Sequence, residues 1–283
     1  MFAVWFILFG LGGPAPASYP RAELLVDPES LLMLPEETSF LDTRSEGAFR
    51  AGHIPGALSV SASAWSRQFQ QSLDPAIWSD LLGSLGLAPD RTVIVYGSNW
   101  TETARVWWIL RYWGFEKARI MNGPYSLWVA AGGKPSTELL KPARRSITLK
   151  PTKRLMVKDE VLECLKNKSV QILDVRSSAE YGGAVGAANK TGCIPGAKNL
   201  EWSEFIDSKT QKLKPAKEIQ ELLRQGAIDT SKPVVTYCQV GARSCVGAFV
   251  LEVMGVESVR NYLRGWSEWG NADDTPVAKP HPP

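Results

Sequence analysis

Three short blocks of this chain occur twice and in the same order, so the chain must fold as a structure that repeats itself. Thr38-Ser39-Phe40-Leu41-Asp42-Thr43-Arg44 returns as Val170-Gln171-Ile172-Leu173-Asp174-Val175-Arg176. His53-Ile54-Pro55-Gly56-Ala57 returns as Cys193-Ile194-Pro195-Gly196-Ala197, and Thr92-Val93-Ile94-Val95-Tyr96-Gly97 as Pro233-Val234-Val235-Thr236-Tyr237-Cys238. The interval from Gly97 to Cys238 also separates Gly114 from Gly255 and Trp128 from Trp269. A duplicated unit in 283 residues gives two domains of ordinary size.

Within each copy the blocks read as strand, turn and helix. Ile172–Asp174 and Val234–Tyr237 are short and apolar enough for parallel strands covered on both faces. Lys217–Gln225 carries Ile219, Leu222 and Leu223 at helical spacing, with Gly226 as its stop. Ala242–Met254 is nearly all apolar or small and predicts a buried helix directly after a strand. The expected class is therefore α/β, two tandem domains each with a mostly parallel sheet flanked by helices. Their bounds are placed near 22–138 and 151–277, with a basic linker at 139–150. The wider stretch Lys134–Lys158 holds eight basic residues against Glu138 and is read as a solvated segment lying over the surface. The Pro-rich tail from Asn271 is expected to fray.

Composition narrows the chemistry. A hydrophobic share of 44% with 22% charged residues is that of a globular chain, and a net charge of +3 is too small for a nucleic-acid binder. Four cysteines make no disulfide scaffold, and two histidines, His53 and His281, leave no basis for a His-rich metal site or a His-based triad. No metal and no cofactor are expected. Phe2–Leu11 is apolar but shorter than the roughly 20 residues a membrane span needs. With Ala15-Pro16-Ala17 after it, residues 1–20 read as a cleaved secretory signal without the usual basic start, which would place the protein in the periplasm or outside the cell. Without cleavage the protein would be cytoplasmic.

The informative segment is Tyr237-Cys238-Gln239-Val240-Gly241-Ala242-Arg243-Ser244, where a buried strand meets a buried helix. Sites in parallel α/β sheets are built at the carboxyl ends of strands. A thiol there faces the free N–H groups and positive dipole end of the helix, which favour a thiolate. Gly241 lets the backbone curl so that several N–H groups point at one anion, and Arg243 adds a fixed cation with a fork of donors.

On these residues the chain resembles the tandem-domain rhodaneses, sulfurtransferases of the thiosulfate or 3-mercaptopyruvate type. The marks are Asp42/Arg44 and Asp174/Arg176, the two Ile-Pro-Gly-Ala segments, Cys238-x-x-Gly241-x-Arg243, and Gly265-Trp266-Ser267-Glu268-Trp269. The resemblance covers about residues 22–270. It implies a persulfide on Cys238, a first half that repeats the fold without the nucleophile, and a wall of the cleft made by that half. Gly97 stands opposite Cys238 there, and Glu102 opposite Arg243. It also implies a small anionic sulfur donor bound by Arg243 within the loop Gln239, Val240, Gly241, Ala242 and Ser244, and a thiol or cyanide as acceptor. Where the two-domain thiosulfate enzymes carry basic residues after the cysteine and the mercaptopyruvate enzymes Gly-Ser, this chain has Gln239-Val240. No nucleic-acid partner and no membrane span are expected, and the chain is expected to act as a monomer.

Asp174 and Arg176 are read as a buried supporting pair, since Asp42 and Arg44 persist without a nucleophile, and Glu180 is assigned to the same network. Trp266, Trp269, Cys193 and Cys245 are read as packing residues, and Cys164 carries no signal. Two other functions stay open: a sulfur carrier or sensor that does not turn over, and a cysteine phosphatase or arsenate reductase. The four residues between Cys238 and Arg243, against five in phosphatases, disfavour the latter.

Overall fold

The computed structural model describes residues 19–33 and 37–280, so most of the expected signal segment, and His281, lie outside the described residues. The first half runs β1 (Leu25–Val26), β2 (Ser39–Asp42), α1 (Glu46–Ala51), β3 (Ala57–Ser59), α2 (Ala62–Gln71), α3 (Pro75–Ser84), β4 (Val93–Tyr96), α4 (Trp100–Tyr112), β5 (Ala118–Met121) and α5 (Tyr125–Ala130). The second runs α6 (Lys158–Asn167), β6 (Gln171–Asp174), α7 (Ser178–Tyr181), β7 (Lys198–Asn199), α8 (Ala216–Gln225), β8 (Val234–Tyr237), α9 (Ala242–Val253), β9 (Val259–Tyr262) and α10 (Gly265–Trp269). Two sheets form, ordered β1-β5-β4-β2-β3 and β7-β6-β8-β9, and every neighbouring pair in both is parallel. Read from the same edge, β5-β4-β2-β3 and β9-β8-β6-β7 are one order used twice. The strand β1 survives in the second half only as a bridge between Leu155 and Asn261.

The repeated blocks meet in space. At the end of β6, Asp174 Oδ1 accepts from the backbone N–H and Nε of Arg176 at 2.9 and 3.0 Å, and Arg176 Nη2 donates to Gly192 O at 2.7 Å. The Ile194 N–H donates to the Tyr237 hydroxyl, which donates to Asp174 Oδ2 at 2.5 Å. Asp-x-Arg, Ile-Pro-Gly and the tyrosine ending the central strand are therefore three parts of one buried network. The first half repeats its contacts with Asp42, Arg44, Gly52, Ile54 and Tyr96. Asp174 and Arg176 are both fully buried and paired, with Arg176 Nη1 left without a hydrogen-bond partner. Burial works against the charge on Arg176, but the hydrogen bond and charge of Asp174 outweigh it and keep the guanidinium protonated.

The basic segment lies over the first half, as expected: Arg145 N–H donates to Gly83 O, Arg144 pairs with Asp80, and Leu149 is buried. The tail departs from expectation. Residues 271–280 are pinned, because Ala278 and Cys193 exchange backbone hydrogen bonds at 2.9 Å and Trp269 Nε1 donates to Pro276 O. Thr275 is buried with its hydroxyl on Trp269 O. Proline content signalled a loose end, but an isolated antiparallel bridge to the buried Cys193 holds it.

The halves join through α4 and α9, the helices that follow the two central strands. Trp107 meets Phe249 edge-on with ring centres 4.9 Å apart. Arg111 and Glu252 stand 141 residues apart, so they are equivalent positions of the two halves, and they bond each other at 3.1 Å. Glu252 also binds Arg154, and Arg21 stands 3.7 Å away, while Glu252 itself is 3% exposed. Burial pulls the Arg111 guanidinium below its ordinary range despite the carboxylates of Glu252 and Glu116. A buried cluster of this kind stabilises only when complete. Glu252→Gln is expected to cost about 3–5 kcal/mol in urea unfolding, since it leaves the buried Arg111 with only the exposed Glu116 as a carboxylate partner. The double change Arg111→Met with Glu252→Met should recover much of that loss.

Candidate active site

Cys238 is the first residue after β8, and α9 begins four residues later at Ala242. Its side chain is 1% exposed and packs against the main core, while the surrounding loop reaches solvent through Gln239, Val240 (50% exposed), Ala242 and Arg243. The sulfur therefore lies at the bottom of the loop, within reach of its rim.

The shape of the loop follows from where its carbonyls go. Cys238 O accepts from the Trp266 N–H at 2.8 Å and Gln239 O from the Ser267 N–H at 2.9 Å, both on α10. Val240 O accepts from Arg105 Nη2 at 2.7 Å, and Gly241 O accepts from the Ser244 hydroxyl at 3.1 Å. With four successive carbonyls taken, N–H groups are left to face inward, and the Gly241 N–H donates to Cys238 Sγ at 3.1 Å. Gly241 has φ +85°, and a Cβ there would collide with Leu263 O. Gly265, at φ +54°, lies against Cys238 O just as tightly. Both glycines are required by close backbone approach at a left-handed conformation.

Arg243 stands beside the thiol but is not a free cation. Its Nη1 and Nη2 donate to Glu180 Oε2 and Oε1 at 2.6 and 2.9 Å. Glu180 holds this position because it also closes the start of α7, accepting from the Ser177 N–H while the Ser177 hydroxyl accepts from the Glu180 N–H. The hydrogen bond from Glu180 raises the pKa of Arg243, and the nearby Cys238 adds to it. Burial pushes the Glu180 carboxyl up, yet Arg243 overcomes this and holds it below the ordinary range. Glu180 thus belongs with Arg243 and not, as the sequence suggested, with Asp174 and Arg176.

The other thiols lie in different surroundings. Cys245 is fully buried, accepts from Asn261 Nδ2 at 3.4 Å, and is pushed up to about 12 by burial. Cys193 is pushed up to about 11 by burial, then by the Asp174 charge. Trp266 and Trp269 are fully buried, as packing residues should be. Arg176 lies over the Trp266 ring at 4.6 Å, which couples the buried pair to the helix that holds the loop.

In the first half the corresponding loop has no room for a thiol. A Cβ on Gly97 would strike the Thr43 hydroxyl and come within 2.9 Å of the Thr103 hydroxyl, and Glu102 is exposed. What sequence reasoning missed is Arg105. Its signal was a lone arginine in the apolar run Ala104–Leu110, where a buried cation needs a partner.

Residues 27–131 and 157–272 each match the family of rhodanese-like domains. The chain belongs to the rhodanese family, with two such domains in tandem. It is 32% identical to the thiosulfate sulfurtransferase of Azotobacter vinelandii over 274 residues, covering 92% of this chain and 98% of that one. It is also 32% identical to the sulfur carrier protein TtuD of Thermus thermophilus over 282 residues, 91% of this chain and 93% of the relative. Among solved structures, wild-type EanB matches with a TM-score of 0.79 at 25% identity, over 92% of this chain and 70% of that one.

Gly241→Ala tests whether the loop's curl sets the reactivity of Cys238. The strained φ and the clash with Leu263 O should displace the Gly241 N–H from the sulfur. Iodoacetamide labelling of Cys238, followed by mass spectrometry, should slow at least about tenfold.

Proposed function

We propose that this protein moves sulfane sulfur from thiosulfate to a thiophilic acceptor through a persulfide on Cys238. The observation that carries this reading is the Gly241 N–H aimed at Cys238 Sγ from a loop whose carbonyls are all held elsewhere. Membership of the rhodanese family and the likeness to a thiosulfate sulfurtransferase support it.

In the first step the Cys238 thiolate attacks the outer sulfur of thiosulfate. A Cys238–sulfur bond forms as the sulfur–sulfur bond to the sulfonate breaks, and sulfite leaves with the electron pair. The added sulfur then carries the negative charge, and N–H groups of the loop stabilise it where it develops. In the second step cyanide or a thiolate attacks the outer sulfur. Thiocyanate or a persulfide leaves, and the Cys238 thiolate is restored. No change of metal or organic cofactor enters this balance.

Arg243 supplies the contact for the sulfonate end of the donor. Its bond to Glu180 uses one N–H from each terminal nitrogen, and three of its five donors remain. Glu180 fixes the direction of the fork and also tempers its charge, so the donor binds to a neutralised pair.

A second reading has a specific observation behind it, the equal identity to a sulfur carrier protein. A carrier accepts one sulfur and releases it only to a dedicated partner. Thiosulfate and cyanide, with thiocyanate as the measured product, separate the two. Many turnovers are expected from the wild type and none from Cys238→Ser. One equivalent of bound sulfur without turnover would establish the carrier, and equal rates in both proteins would remove Cys238 from the reaction. Arg243→Gln should raise the KM for thiosulfate about tenfold or more, the loss of a charged hydrogen bond of about 1.5–3 kcal/mol. Running 3-mercaptopyruvate in parallel assigns the donor.

A further inference from the structure

We propose that Arg105, on α4 of the half that lacks a nucleophile, is a positioning residue for the reaction at Cys238. It does so by fixing the peptide between Val240 and Gly241. The inference rests on the reading of Cys238 as the nucleophile.

One planar group links the two contacts. The carbonyl of Val240 and the N–H of Gly241 belong to the same peptide unit, which is trans like every peptide among the described residues. In a trans peptide these two bonds point in opposite directions. Arg105 Nη2 holds the oxygen at 2.7 Å on one side, and the N–H meets Cys238 Sγ at 3.1 Å on the other. Of the four loop carbonyls, those of Cys238, Gln239 and Gly241 are held by the second half itself. Val240 O is the one held from the first half.

Such an anchor is needed because a peptide preceding a glycine rotates easily. Rotated by half a turn, this unit would place a carbonyl oxygen where an anionic sulfur has to sit. Arg105 opposes that rotation with a full charge. It is 5% exposed and steadied by the Ser66 hydroxyl of α2. Its Nε has no hydrogen-bond partner, and its side-chain bonds go to the Ser66 hydroxyl and to Val240 O. A cation on the oxygen side also polarises the peptide and makes its N–H a stronger donor to the sulfur.

Arg105 touches no substrate in this arrangement, and that separates it from Arg243 in kinetics. In the thiosulfate–cyanide reaction Arg105→Met should lower kcat about tenfold or more while KM for thiosulfate stays within about twofold. Arg105→Lys, which keeps a cationic donor on a flexible stem, should restore a large part of kcat. Iodoacetamide labelling of Cys238 at fixed pH should slow about tenfold in Arg105→Met and recover in Arg105→Lys. Labelling needs no sulfur donor, so it reports on the loop even in a protein that makes no thiocyanate from thiosulfate. Arg105→Gln, with a neutral donor in the same place, serves if the methionine variant does not fold. Unchanged labelling and kcat in the methionine and glutamine variants would overturn the proposal. So would equal losses in the lysine, glutamine and methionine variants that simply track a lowered Tm, for that is the mark of a merely structural arginine.

Discussion

A planar peptide cannot present its oxygen and its N–H to the same side, and the loop after β8 is governed by that constraint. Each of its first four carbonyls has a partner outside the ring the loop describes: two N–H groups of α10, the guanidinium of Arg105 and the hydroxyl of Ser244. Once those bonds are made, the N–H of Gly241 is left to face Cys238 Sγ, at 3.1 Å. The positive surroundings of the sulfur are thus set by where the oxygens are bound, and only in part by side-chain charge. Arg243, the obvious cation, already shares its charge with Glu180.

The duplication shows which parts of the framework are general and which serve the sulfur. Asp-x-Arg, Ile-Pro-Gly and the tyrosine at the end of the central strand occupy the same places in both halves, so they maintain the fold. Three features differ together. Where the second half has Cys238, Arg243 and Glu180, the first has Gly97, Glu102 and, three residues into the helix after Asp-x-Arg-Ser, Ala48. The thiol, its cation and the acid that aims the cation are absent as a set. The hydroxyls of Thr43 and Thr103 close the space a thiol would take, turning a potential site into packed interior.

Much of this was legible in the sequence because it recurs. The strands, the buried helix after Cys238, the paired Asp and Arg, and the glycine of the loop all follow from short patterns with a local physical cause. The partners that cross the chain were not legible. Glu180 was placed in the wrong network because it stands four residues after Arg176, whereas its carboxylate reaches Arg243, 63 positions away. Arg105 reaches Val240 across 135 positions, and no local spacing encodes that contact. The tail was misread for a related reason. Its prolines report only local stiffness, while its order comes from bonds to distant residues such as Cys193.

The joint between the halves explains why a half without a nucleophile is retained. Because α4 and α9 are equivalent helices, the pairing of Arg111 with Glu252 places two copies of one position against each other, as happens near a two-fold axis. In an assembly of identical units that position would meet its own charge. Here the two copies differ, arginine in one and glutamate in the other, so the contact is complementary, and Trp107 packs edge-on against Phe249 nearby. The asymmetry extends to the loop. Position 105 carries arginine, and its counterpart on α9 is Val246, which is fully buried. A cation therefore points in one direction only, from the half that has Gly97 toward the half that has Cys238. The second half binds three of the loop's carbonyls by itself, but the fourth, Val240 O, is held by Arg105 on α4 of the first half. The site is complete only when both halves are present.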